Sequence, residues 1–189
     1  MEDQHERRFL VRGDYASWPA IVAPFRVSEM RQGYLTLPDA RHEIRVRAER
    51  RVDVPDASTV FTTSDPTVVA HMTVKHGHGL SRQRNDPEIP QSLFDELWPR
   101  TEGRRIDKVR AEYEVATDGR SGQVTLVIDQ FQGRLAPFVM AEFKFRSGEF
   151  AGTFVPPTFA YLEVTDDPRY ENASIACLHG PPTWHGQTA

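Results

Sequence analysis

Cysteine occurs once in the 189 residues, at Cys177. That excludes an internal disulfide and any metal cluster built from several thiolates. No stretch of about 18 consecutive apolar residues occurs, so no membrane-spanning helix is expected. The first residues are charged and lack the apolar centre of a secretion signal, which makes the cytoplasm the expected compartment. A basic excess is missing as well: 23 Lys and Arg stand against 27 Asp and Glu, a formal net charge of -4. Nucleic acid and membrane are therefore not expected partners, and any anion site has to be local. Helical signals are scarce. They are confined to Gln91 to Trp98, bounded by Pro90 and Pro99, and to Arg169 to Leu178, which follows Asp166, Asp167 and Pro168.

What is present is a globular composition, 39% hydrophobic and 26% charged, in a chain long enough to bury a real core. The expected division is one domain over residues 1–180 and a C-terminal tail over 181–189. Val54 to Pro66 reads as a loop. Alternation and β-branched enrichment predict strands at Gln4 to Val11, Gly33 to Leu37, His42 to Arg50, Thr67 to Lys75, Arg105 to Val115, Gln123 to Phe131 and Phe138 to Phe145, with Tyr161 to Val164 as an eighth. So many strands with so few helices predict a mainly β fold, a barrel or a strongly curved antiparallel sheet.

Successive strand side chains point to opposite faces, and here the two faces differ in kind. Ile44, Val46 and Ala48 oppose Glu43, Arg45, Arg47 and Glu49, and Val109, Ala111, Tyr113 and Val115 oppose Lys108, Arg110, Glu112 and Glu114. Val139, Ala141, Phe143 and Phe145 likewise oppose Met140, Glu142 and Lys144. A wet outer face would explain one such strand. Paired Arg and Lys at two-residue spacing on several strands instead predict a polar tunnel, with the apolar faces covered by helices outside. Arg8, Arg45, Arg47, Lys75, Lys108 and Arg110 would line it. Confined like charges require a compensating anion, and guanidinium forks with mobile ammonium groups suit a chain of phosphates.

Ordered landmarks along nearly the whole chain carry a resemblance. They are His5-Glu6-Arg7-Arg8-Phe9-Leu10-Val11, Arg31-Gln32-Gly33-Tyr34-Leu35, Ile44-Arg45-Val46-Arg47, Met72-Thr73-Val74-Lys75 and Gly79-Leu80-Ser81-Arg82-Gln83. Further on come Leu97-Trp98-Pro99, Thr101-Glu102-Gly103-Arg104-Arg105, Lys108-Val109-Arg110, Asp129-Gln130-Phe131 and Glu163-Val164-Thr165 with Asp167 and Arg169-Tyr170. The sequence resembles the CYTH-domain superfamily, the triphosphate tunnel metalloenzymes, and most of all its short bacterial inorganic triphosphatases. The resemblance implies an eight-stranded antiparallel closed β-barrel with a few peripheral helices. It also implies a hydrolase of phosphoanhydride bonds, acting on inorganic triphosphate or a nucleoside triphosphate with magnesium or manganese. The substrate would be bound by Arg8, Arg45, Arg47, Lys75, Lys108 and Arg110, and the metal by Glu6, Asp129 and Glu142. Lys75, Arg110 and Glu142 would serve catalysis, and Tyr34 is a further candidate contact near the phosphates.

The chain departs from the family pattern at several acidic positions. Gln4 stands where the first strand's leading glutamate belongs, Arg84 follows the Ser-Arg motif, and Val127 and Lys144 occupy places where acids are common. Two alternatives stay open beside the hydrolase: a protein that binds polyphosphate or nucleotide without turnover, and an enzyme using the tunnel for another phosphorylated substrate. Pairing of two chains into a homodimer also stays open. His71, His76 and His78 match no zinc spacing.

Overall fold

The computed structural model describes residues 5–12, 23–38, 40, 42–52, 65–76, 83–115 and 124–183. The strands are β1 (His5–Val11), β2 (Arg26–Tyr34), β3 (His42–Arg51), β4 (Val69–His76), β5 (Gln83–Asn85), β6 (Glu88–Ile89), β7 (Arg105–Val115), β8 (Val124–Phe131), β9 (Val139–Phe145) and β10 (Ala160–Glu163). Helices α1 (Gln91–Leu97), α2 (Gly148–Thr153) and α3 (Asn172–Ile175) complete it, with single 3-10 turns at Trp98–Thr101, Gly133–Leu135 and Pro168–Tyr170. All pairings are antiparallel, in the order β10-β1-β9-β8-β7-β2-β3-β4-β5, with β6 beside β5 on β4.

The outward face is apolar in two patches, each covered by a short helix. Phe9, Leu126, Ile128, Ala141, Phe143 and Phe145 pack under α2, whose Ala151 and Phe150 meet them together with Phe154 and Phe159. Phe143 lies 4.9 Å from Phe154 and 5.6 Å, edge to face, from Phe9. Val46, Ala48 and Ala70 pack under α1 through Phe94, which stacks on Trp98 at 5.2 Å. Pro90 caps the start of α1 and Pro99 opens the 3-10 turn that ends it, as the two prolines predict.

The inward face is divided along its length. At one end Leu10, Tyr34, Ile106, Phe131, Phe138 and Met140 are sealed by Tyr170 and by Ala173 and Ile175 of α3. Beyond that apolar plug the same face turns charged, so one set of strands supplies both a core and a polar cavity.

The closed barrel expected from the family does not form. The end strands of the sheet, β10 and β5, are not paired with each other, and the sheet curls without closing. Closure needs two long edges with free N–H and C=O groups in register. Here β10 has four residues and β5 three, and Pro87, which has no N–H, separates β5 from β6. Interrupted edges of this kind also resist pairing with other chains.

Other expectations shift by less. The second strand begins at Arg26 rather than Gly33, and a short β5 forms at Gln83–Asn85, ahead of Pro87. The helix expected from Arg169 divides into the 3-10 turn at Pro168–Tyr170 and the four-residue α3, while α2 had no sequence signal. Gln4, His78, Trp184 and residues 184–189 of the expected tail lie outside the described residues, as does most of the expected Val54 to Pro66 loop. No helix among the described residues is long and apolar enough to cross a membrane.

Candidate active site

A cavity of about 240 Å³ opens on the charged part of the inward face. Side chains from β1, β2, β3, β4, β7 and β9 line it, which only a strongly curled sheet allows, and Asn172 at the start of α3 joins them. Its wall holds the basic residues Arg26, Arg45, Arg47, Lys75, Lys108, Arg110 and Lys144 against the acids Glu6, Glu49, Glu112 and Glu142. Among the described residues that line it, Met30 is the lone apolar side chain and none is aromatic.

Alternation alone puts these groups together. In β3, Arg45 and Arg47 point inward while Val46 and Ala48 go under α1, and in β7, Lys108 and Arg110 point inward beside Ile106 of the plug. Cross-strand register then decides the partners. Arg110 stands directly opposite Asp129, and its Nε and a terminal nitrogen each donate to the carboxylate over 2.7 Å. Lys108 Nζ donates to the same carboxylate, also over 2.7 Å. Lys108 and Asp129 are almost completely buried. Burial would raise Asp129, but the charges of Arg110 and Lys108 outweigh it and hold the carboxyl well below the usual range. Burial and then Arg110 pull Lys108 down to about 8 against the attraction of Asp129.

The other cations are held in the same manner. Arg45 Nε donates to Thr73 Oγ1 at 3.1 Å, and Arg47 donates to Asp86 at 3.3 Å. Lys75 Nζ lies 2.8 Å from Glu43. Arg26 is paired with Glu49 and lies 3.5 Å from Glu112, while Ser28 donates to Glu49 at 3.1 Å. Each tether fixes a cation in the cavity wall, which lowers the ordering cost of receiving an anion.

Glu6 and Glu142 form a different kind of pair. They are diagonal neighbours on one face of the paired strands β1 and β9, and burial, the charge of Glu142 and hydrogen bonding between the two carboxyls push Glu6 up to about 7. Burial alone would raise Glu142, but Lys144, Arg110 and the Glu6 hydrogen bond hold it below the ordinary value. One proton is therefore shared by two acids near neutral pH. No group of three or more His, Cys, Asp or Glu side chains converges among the described residues.

Of the residues singled out from sequence, Glu6, Arg45, Arg47, Lys75, Lys108, Arg110 and Glu142 line the cavity. Asp129 lies behind Lys108 and Arg110 as their shared counter-ion. Arg8 is not in the cavity wall; its guanidinium donates to the carbonyls of Thr165 at 3.1 Å and Tyr170 at 3.4 Å. Tyr34 is buried in the plug, its hydroxyl held by Gln32. Sequence reasoning missed Arg26 and Asn172. The alternation of Arg26, Ser28, Met30 and Gln32 was the available signal, masked because Glu29 and Arg31 are charged on the other face.

An inorganic triphosphatase of Nitrosomonas europaea is 35% identical over 171 residues, covering 90% of this chain and 95% of that protein. Among solved structures, the crystal structure of the inorganic triphosphatase NE1496 matches with a TM-score of 0.63 and 30% identity over 95% of this chain and 98% of that one. A second structure, described as the hypothetical protein NE1496, matches with a TM-score of 0.59 over 93% of this chain and 98% of that one. No family profile matches the chain.

Proposed function

The chain belongs to the CYTH-domain superfamily, the triphosphate tunnel metalloenzymes, alongside the bacterial inorganic triphosphatases, and from that premise we propose that it hydrolyses inorganic triphosphate in the cationic cavity. The observation that carries this reading is the wall itself, where seven basic side chains, six of them tethered, face a space of about 240 Å³. Pockets for drug-sized molecules start near 300 Å³, so the space suits a short phosphate chain better than a whole nucleotide. The described lining residues include no aromatic side chain, the usual platform for a base.

Phosphoryl transfer asks a protein chiefly to position the phosphates and neutralise their oxygens. Arg45, Arg47 and Lys75 hold the chain from β3 and β4, and Lys108 and Arg110 approach it from β7. Asp129 orients those last two cations and has both carboxylate oxygens engaged, so we assign it that role in place of direct metal binding. Magnesium is commonly held by one or two carboxylates with water and substrate phosphates completing its shell. The Glu6–Glu142 pair, two acids brought close enough to share a proton, fits that demand. Glu6 and Glu142 would hold a divalent cation, magnesium or manganese, whose chemistry there is neutralisation of phosphate charge and acidification of a bound water. Once the shared proton is released, both carboxylates become available.

Binding of triphosphate without turnover is a second reading. It is favoured by the engagement of Asp129 and by the lack of a three-acid cluster among the described residues. The purified protein should release orthophosphate from tripolyphosphate with magnesium or manganese, and turn over ATP far more slowly. Tight triphosphate binding with no orthophosphate at any pH from 7 to about 10, a range that takes in the loss of charge from Lys108 at about 8, would select the binder.

A further inference from the structure

The basic side chains of the cavity wall have partners, with one exception among the described residues. Lys144 lines the cavity from β9 but makes no hydrogen bond or ion pair with any described residue. It sits directly across from Glu6 in the β1–β9 register, two residues from Glu142 on the same face. Both acids sense its charge, and it is the strongest favourable charge acting on Glu142.

This placement creates a problem that Lys144 solves. A triphosphate filling the cavity carries its negative charge up to the Glu6–Glu142 pair, where like charges repel. Arg26, Arg45, Arg47, Lys75, Lys108 and Arg110 already share their charge with Glu49, Glu43, Asp86 and Asp129. An ammonium on a flexible four-carbon stem, with three donors uncommitted, is suited to meet a phosphate oxygen at that end. Resting on the triphosphatase reading above, we propose that Lys144 is a substrate-contacting residue whose ammonium binds the phosphoryl group that reaches the Glu6–Glu142 pair. It thereby admits a polyanion to a wall that carries two acids.

The test is calorimetric titration of tripolyphosphate into the full-length protein in metal-free buffer, comparing Lys144→Gln, Lys144→Arg and Arg146→Gln. Arg146 is exposed and lies outside the cavity wall, so its substitution changes net charge equally without touching the site. Lys144→Gln should weaken binding about tenfold or more, as expected for loss of a charged hydrogen bond. Lys144→Arg should retain most of the affinity and Arg146→Gln all of it. Equal binding by Lys144→Gln and the unsubstituted protein overturns the inference while leaving the functional reading intact. Equal losses in Lys144→Gln and Arg146→Gln overturn it too, because bulk charge would then be the cause. Absence of triphosphate binding in the unsubstituted protein overturns both.

Discussion

Arg110 and Asp129 face each other across β7 and β8, and the guanidinium fork closes on the carboxylate through two bonds of 2.7 Å. Lys108 completes the arrangement, so one buried acid serves a buried lysine and a part-buried arginine. Removing the acid strands both. Asp129→Asn is expected to destabilise the fold by roughly 3–5 kcal/mol, the usual cost of breaking a buried ionic network from one side. Urea denaturation measures it, and a loss under about 1 kcal/mol would contradict the network's role.

The Glu6–Glu142 pair sets a pH dependence of stability. Glu6 is pushed up to about 7 from 4.5, so between those values the folded chain holds a proton that the unfolded chain has released. Stability therefore falls as pH rises from 4.5 through about 7 and then levels, by roughly 3 kcal/mol. Glu6→Gln removes this loss. The variant should match the unsubstituted protein near pH 5 and exceed it in thermal midpoint near pH 8, while losing turnover that depends on a divalent metal.

Arg47 reaches Asp86 from the cavity wall and lies 3.6 Å from Glu49, which leaves its fork positioned for a second anion. Arg47→Gln should weaken triphosphate binding by about tenfold or more. Arg47→Lys should recover only part of it, because an ammonium cannot reproduce the planar fork. Titration calorimetry distinguishes the two, and equal affinity in all three proteins would remove Arg47 from the site.

Gly33 is required by a neighbour, with no turn involved. A Cβ there would come within 2.6 Å of Thr101 Cβ, and Thr101 is buried with its hydroxyl donating to the Trp98 carbonyl and accepting from Arg105. Gly33→Ala should cost about 1–3 kcal/mol through overpacking where β2 meets the 3-10 turn. Chemical denaturation measures the loss, and a cost under about 0.5 kcal/mol would show that the neighbouring backbone gives way without strain.

Much of the site was legible because strand side chains alternate with a period of two. Arg45 and Arg47, Lys108 and Arg110, and Glu142 with Lys144 all fall on the polar side of segments whose apolar partners are unmistakable. The prolines flanking Gln91–Leu97 likewise marked α1 locally. Arg26 was not legible, since β2 carries polar residues on both faces and its alternation gives no contrast. Arg8 was placed on the right strand, yet the chain around Thr165 and Tyr170 takes up its guanidinium before it can reach the cavity.

The sequence by itself determined which side chains share a face and that cations dominate the inner one, because backbone pleating is a local property. Tertiary structure decided the rest. Register set Asp129 against Arg110 and Glu6 beside Glu142 and Lys144, curvature gathered side chains of six strands around one cavity, and edges too short and too interrupted by proline left the sheet curled and open. Each depends on which strands meet and at what offset, and that is fixed by packing between residues far apart in the chain.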